Sequence, residues 1–123
     1  MRVMELTEGL EFRENKPNSQ PLYVDANGRI LRFALRPGQS IDEHSAPNSP
    51  FYVTVLQGKG IFTGGDGQER EVGPNTLLVF DPAERHSVRA VDEDLVFIGF
   101  LHGVGSARPD KVGGLLGQES NKS

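Results

Sequence analysis

The chain has 123 residues and no cysteine, so its length fits one domain with a single core, and its composition excludes disulfides, thiolate metal ligands and a cysteine nucleophile. Its 17 acidic and 13 basic residues give a formal net charge of −4, and without a basic block this balance disfavours nucleic acid as a partner. No apolar run is long enough for a signal peptide or a membrane span, which predicts a cytoplasmic protein with no membrane partner.

Glycine and proline recur along the whole chain, with 15 glycines and eight prolines. Such frequent breaks disfavour long helices and are typical of many short strands joined by turns. The sequence therefore predicts an all-β fold. We expect residues 1–20 to form an N-terminal arm, residues 21–102 a barrel, and residues 103–123 a short C-terminal tail.

Stretches rich in aromatic and β-branched residues, bounded by turn-forming residues, predict the individual strands. In chain order these strands cover residues 21–25, 30–36, 40–46, 51–56, 60–63, 68–72, 76–80, 86–91 and 95–101. The dipeptide Asn27-Gly28 predicts a hairpin between the first two strands, and the glycine-rich residues 64–67 predict a second hairpin.

Two strands carry side-chain patterns that bear on function. In residues 40–46, a period of two places Asp42, His44 and Ala46 on one face. In residues 51–56, both alternating faces are apolar, which predicts burial on both sides and is consistent with a sheet that continues into a partner.

The segment around His44 resembles the first motif of the cupin superfamily. That motif runs Gly, five residues, His, one residue, His, three or four residues, Glu, six residues, Gly. Gly38, His44 and Gly58 keep the pattern, whereas Ala46 replaces the second histidine and Phe51 replaces the glutamate.

The segment that ends near His86 resembles the second cupin motif, which runs Gly, five residues, Pro, one residue, Gly, two residues, His, three residues, Asn. His86 keeps its place, while Asn75, Asp81, Ala83 and Ala90 stand where the family has Gly, Pro, Gly and Asn. The two motifs together indicate a small single-domain cupin, across residues 30–102, with degenerate metal-binding motifs. The resemblance implies a double-stranded β-helix, or jelly-roll barrel, and a homodimer.

The resemblance also implies a ligand pocket inside the barrel. Its expected lining residues are His44, Ala46, Phe51, Val53 and His86. The aromatic ring of Phe51, placed where the family has a carboxylate, makes this pocket drier and more apolar.

A metal site in this family would use imidazoles and a carboxylate on a divalent first-row ion, such as zinc, iron, manganese, nickel or copper. His44 and His86 are the expected metal ligands, and two imidazoles alone hold such an ion weakly. The candidates for a third ligand are His102, Glu84 and Asp42.

The sequence leaves three functions open. The leading one is a cupin barrel that binds a small organic molecule between His44 and His86. The first alternative is a metal-dependent enzyme of the dioxygenase or isomerase type, with an incomplete or three-histidine site that includes His102. The second is a metal-free enzyme in which His44 or His86 is the general base and an acid such as Glu84 assists.

Overall fold

The computed structural model describes residues 1–102, which form nine strands and no helix. The strands are β1 (Asn18–Asp25), β2 (Gly28–Leu35), β3 (Ser40–His44), β4 (Phe51–Gln57), β5 (Gly60–Thr63), β6 (Glu69–Val72), β7 (Leu77–Phe80), β8 (His86–Ala90) and β9 (Leu95–His102). They make a five-stranded sheet, ordered β1-β2-β9-β4-β7, and a four-stranded sheet, ordered β3-β8-β5-β6. The all-β prediction is confirmed.

The core lies between the two sheets and is built by alternation along each strand. On β4, Phe51, Val53 and Val55 are buried, while the side chains between them, such as Tyr52 and Thr54, are half-buried on the opposite face. The same alternation supplies inward residues from the other strands. The core cluster comprises Leu31, Phe33, Leu35, Ala46, Phe51, Val53, Val55, Phe62, Val72, Phe80, Val88, Ala90, Leu95, Phe97 and Leu101.

Both predicted hairpins are present. β1 pairs with β2 and contains an irregularity between Pro21 and Tyr23, and β5 pairs with β6. β1 begins at Asn18, within the stretch predicted to be an arm, because Asn18 pairs with Ala34.

The predicted facing of Asp42 is wrong, because β3 contains a bulge, whereas His44 and Ala46 both lie on the inner side. Ile41 pairs with Val88 and His44 pairs with His86, so three steps on β3 match two steps on β8. An extra residue of this kind reverses the alternation. Ile41 therefore faces the interior with His44, and Asp42 is exposed.

One buried arginine holds the N-terminal arm against the outer face of the five-stranded sheet. Arg32 is only 2 % exposed. Its Nη1 donates hydrogen bonds to the carbonyl oxygens of Leu6 and Glu8, and its Nη2 donates to Gln20 Oε1. The arm is thus held mainly through its backbone. The predicted tail lies outside the described residues, and within residues 1–102 no helix could cross a membrane.

Two glycines of the first motif have positive φ angles but different surroundings. Gly38 (φ 88°) has nothing within 4 Å of an added Cβ, whereas at Gly58 (φ 77°) an added Cβ would collide with the carbonyl oxygen of Asp94. We expect Gly38→Ala to cost about 1 kcal/mol in free energy of unfolding, from backbone conformation alone. Gly58→Ala should cost at least about 2 kcal/mol more, because backbone must move.

Urea denaturation of the two variants and the parent protein measures this difference. Equal losses at the two positions would show that the contact with Asp94 does not restrict this turn.

Candidate functional site

The β3 bulge places His44 directly beside His86 at one end of the core. The two Nε2 atoms are 3.1 Å apart, and the ring centroids are 4.3 Å apart at an interplanar angle of 69°. His86 is buried and His44 is half-buried. The two histidines that the sequence singled out therefore form one pair.

Each imidazole is oriented by a backbone carbonyl two residues earlier. His44 Nδ1 lies 2.9 Å from the carbonyl oxygen of Asp42, and His86 Nδ1 lies 3.0 Å from that of Glu84. A carbonyl oxygen can only accept, so both Nδ1 atoms are the donors. Each Nε2 then carries a lone pair, and the two lone pairs face each other. The contact is favourable only when the two nitrogens share a proton or when a ligand's donor group contacts both of them from the side.

Aromatic rings surround the pair on its core side. Phe51 stacks on His86 at 5.0 Å and Phe80 at 4.6 Å. Gly99 makes room for this arrangement, because an added Cβ there would lie 2.6 Å from two atoms of the Phe51 ring. Phe80 was not among the predicted site residues; its inward position in the strand before His86 was the available signal.

The interior beside the histidines is almost filled. The cavity there has a volume of about 10 Å³ and is lined mainly by phenylalanine rings, together with Ile41 and the histidine pair. That volume corresponds to about one water molecule. Val53, an expected pocket residue, is fully buried, and Ala46 is 7 % exposed. A larger ligand must therefore contact the pair from the barrel mouth or displace the rings.

Burial determines the protonation of the pair. Desolvation, followed by the charge of His44, lowers the pKa of His86 to about 4, although the Glu84 carbonyl acts in the opposite direction. Desolvation also lowers the pKa of His44, against the effect of the Asp42 carbonyl. The facing nitrogens accommodate one shared proton, and a second proton meets both burial and like charge.

The expected third metal ligands are not brought to the pair. His102 is exposed on the outer face of the five-stranded sheet, where it stacks on Tyr52 and its Nε2 lies 3.3 Å from the tyrosine hydroxyl. The Glu84 carboxylate accepts hydrogen bonds from the backbone N–H groups of Gly65 and Asp81, both at 2.8 Å. The three-histidine site is thus not formed.

The residues present do not fit a complete metal centre. Asp42 is exposed on the bulge, and the positions of the family's second histidine and glutamate hold Ala46 and Phe51. In residues 1–102, no three histidine, aspartate or glutamate side chains converge closely enough to hold an ion. Two imidazole nitrogens remain, fewer than the three protein ligands typical of a catalytic zinc site.

Comparison with known proteins gives a family match and structural neighbours. The family model described as "Cupin domain" matches residues 31–100. No curated protein matches the sequence.

The structural neighbours share the fold at low sequence identity. An uncharacterized conserved protein with a double-stranded beta-helix domain from Klebsiella pneumoniae is 18 % identical, with 88 % of this chain and 94 % of that chain covered and a TM-score of 0.79. A rmlc-like cupin protein from Desulfovibrio desulfuricans is 23 % identical, with coverages of 84 % and 97 % and a TM-score of 0.76. A predicted oxalate decarboxylase from Thermotoga maritima is 21 % identical, with coverages of 70 % and 79 % and a TM-score of 0.65. These likenesses confirm the predicted double-stranded β-helix.

The lowered pKa values predict a loss of stability in mild acid. The unfolded histidine has a pKa of about 6.5, above the folded value for His86, so the unfolded state binds more protons as the pH falls. Stability from this pair is present above about pH 6.5 and is lost towards the folded pKa of about 4. Between pH 7 and 4.5, the free energy of unfolding should fall by about 1–3 kcal/mol more in the parent protein than in His86→Gln.

Denaturant titrations across this pH range provide the test. His102→Gln, which removes an exposed imidazole, should keep the parent protein's pH dependence. The same slope in His86→Gln and the parent protein would contradict the coupling.

Proposed function

Since the family model matches more than half of the 123 residues, the chain belongs to the cupin domain family, and we propose that it binds a small organic molecule through the His44–His86 pair. The observation that supports this function is the pair of Nε2 atoms, 3.1 Å apart, whose lone pairs converge. One donor group of a ligand would satisfy both nitrogens. The proposed ligand therefore carries an O–H or N–H group.

The surroundings of the pair specify the rest of the ligand. Phe51 and Phe80 stack on His86 from its core side and are themselves buried, so the donor group meets the pair at a dry, apolar end of the site, which favours a partly apolar ligand. Its bulk lies towards the barrel mouth, because the interior cavity holds only about 10 Å³.

A metal-dependent enzyme of the dioxygenase or isomerase type is the less supported alternative. The carbonyl-anchored Nδ1 atoms orient both imidazoles as metal ligands are usually oriented. However, Ala46 and Phe51 supply no donor atoms at the other two family positions. The neighbour named as an oxalate decarboxylase shares the fold, at 21 % identity, and does not transfer an activity.

A metal-free acid–base enzyme is the second alternative. A shared proton between two nitrogens can be donated or accepted without a change in ring orientation. The lowered pKa of His86, about 4, makes that residue a weak base at neutral pH. Binding is therefore the better-supported function.

The test starts from the full chain, purified from media with and without added manganese, iron, nickel, copper and zinc. Elemental analysis measures bound metal, and mass spectrometry of a denatured extract identifies any retained organic molecule. We expect the parent protein and His102→Gln to retain the same small molecule, with substoichiometric metal. His44→Ala and His86→Ala should lose that molecule.

Near-stoichiometric metal that both alanine variants remove would overturn the metal-free proposal and favour the first alternative. Turnover of the retained molecule by the parent protein, abolished by His86→Ala, would favour the second. Retention of the molecule by both alanine variants would show that the pair is not the anchor.

A further inference from the structure

Arg29 is a buried cation on the apolar side of the five-stranded sheet. Its side chain is on the same face of β2 as those of Leu31 and Phe33, which belong to the core, and it is 2 % exposed. Arginine in such a position is almost always paired, because a desolvated charge without a partner is costly. A charge among the inward-facing apolar positions of β2 is visible in the sequence itself.

The Arg29 guanidinium has an unoccupied edge. Its Nε and Nη2 are shielded from solvent, and neither has a hydrogen-bond partner within residues 1–102. Arg32, equally buried, uses Nη1 and Nη2 to make three hydrogen bonds, and only its Nε lacks a partner within residues 1–102. In an arginine, Nε–H and Nη2–H lie on one edge and point in parallel, with the spacing of the two oxygens of a carboxylate.

The strand register places this edge at the same end of the barrel as the histidine pair. A continuous cross-strand row runs Val24, Arg29, Leu101, Phe51 and Phe80. The last two residues of this row are the rings that stack on His86. Arg29 and Phe51 are two strands apart, so their backbones are about 10 Å from each other.

We propose that Arg29 is an anion anchor that binds the carboxylate of the small molecule held by the His44–His86 pair; this inference rests on the proposed function. Burial lowers the pKa of Arg29 to about 10, so the guanidinium is still charged at neutral pH. One guanidinium balances one negative charge, which favours a carboxylate over a phosphate dianion.

The test combines anion binding with stability. Acetate, succinate and inorganic phosphate are titrated into the full chain, and the Arg29 Nε–H signal is followed by NMR. Acetate or succinate should shift that signal saturably in the parent protein. Arg29→Lys, which keeps the charge but loses the fork, should bind at least tenfold more weakly. Arg70→Gln removes an exposed charge and should bind as the parent protein does.

Arg29→Met distinguishes an arginine that binds an anion from one that only stabilises the fold. Without added anion, its Tm should equal or exceed that of the parent protein, because an unpaired buried charge has been replaced by an apolar side chain. It should also lose the stabilisation that carboxylates confer. A Tm lowered by more than about 5 °C, carboxylate binding unaffected in Arg29→Met, or binding of phosphate alone would each overturn the proposal.

The two proposals fail in different ways. If His44→Ala and His86→Ala lose the co-purified molecule but Arg29→Met retains it, the anchor is wrong and the proposed function stands. If the histidine variants retain the molecule and Arg29→Met loses it, the proposed function is wrong.

Discussion

The hydrogen bonds from His44 Nδ1 and His86 Nδ1 to backbone carbonyls leave each imidazole one free nitrogen, and the β3 bulge brings the two free nitrogens together. The carbonyls fix the tautomer, the bulge fixes the position, and the strand pairing fixes the distance. The acid–base behaviour of the site and the kind of ligand it accepts all depend on this arrangement. A regular β3 would turn one imidazole away and leave no pair.

Aromatic rings surround the histidine pair, and one of them stands where the family would place a further metal ligand. Phe51 occupies the family's carboxylate position and stacks on His86, with Gly99 leaving space for its ring. The imidazoles keep the hydrogen bonds to carbonyl oxygens that metal-binding histidines usually make. Ala46 and Phe51, at the other two family positions, carry no atom that could bind a metal. The orientation of the two histidines in this chain therefore does not depend on a complete set of metal ligands.

Strand positions, both hairpins and the two site histidines could be predicted, because alternation and turn residues are local signals. The bulge could not, since an extra residue reverses the facing of every residue after it without a compositional mark; Asp42 was misplaced for this reason. The facing of His102 depended on the register between β4 and β9. The burial of Arg29 was predictable in principle, but its open guanidinium edge is visible only in three dimensions.

The clamp that Arg32 forms on the N-terminal arm has an evolutionary consequence. The arginine contacts the carbonyl oxygens of Leu6 and Glu8, and every residue type carries such an oxygen. The side chains of this segment can therefore drift while the arm keeps its place. Asn18 and Gln20 of β1 hold the arm in the same way, through the carbonyl oxygens of Glu11 and Gly9, so substitutions of the arm's side chains leave these hydrogen bonds available.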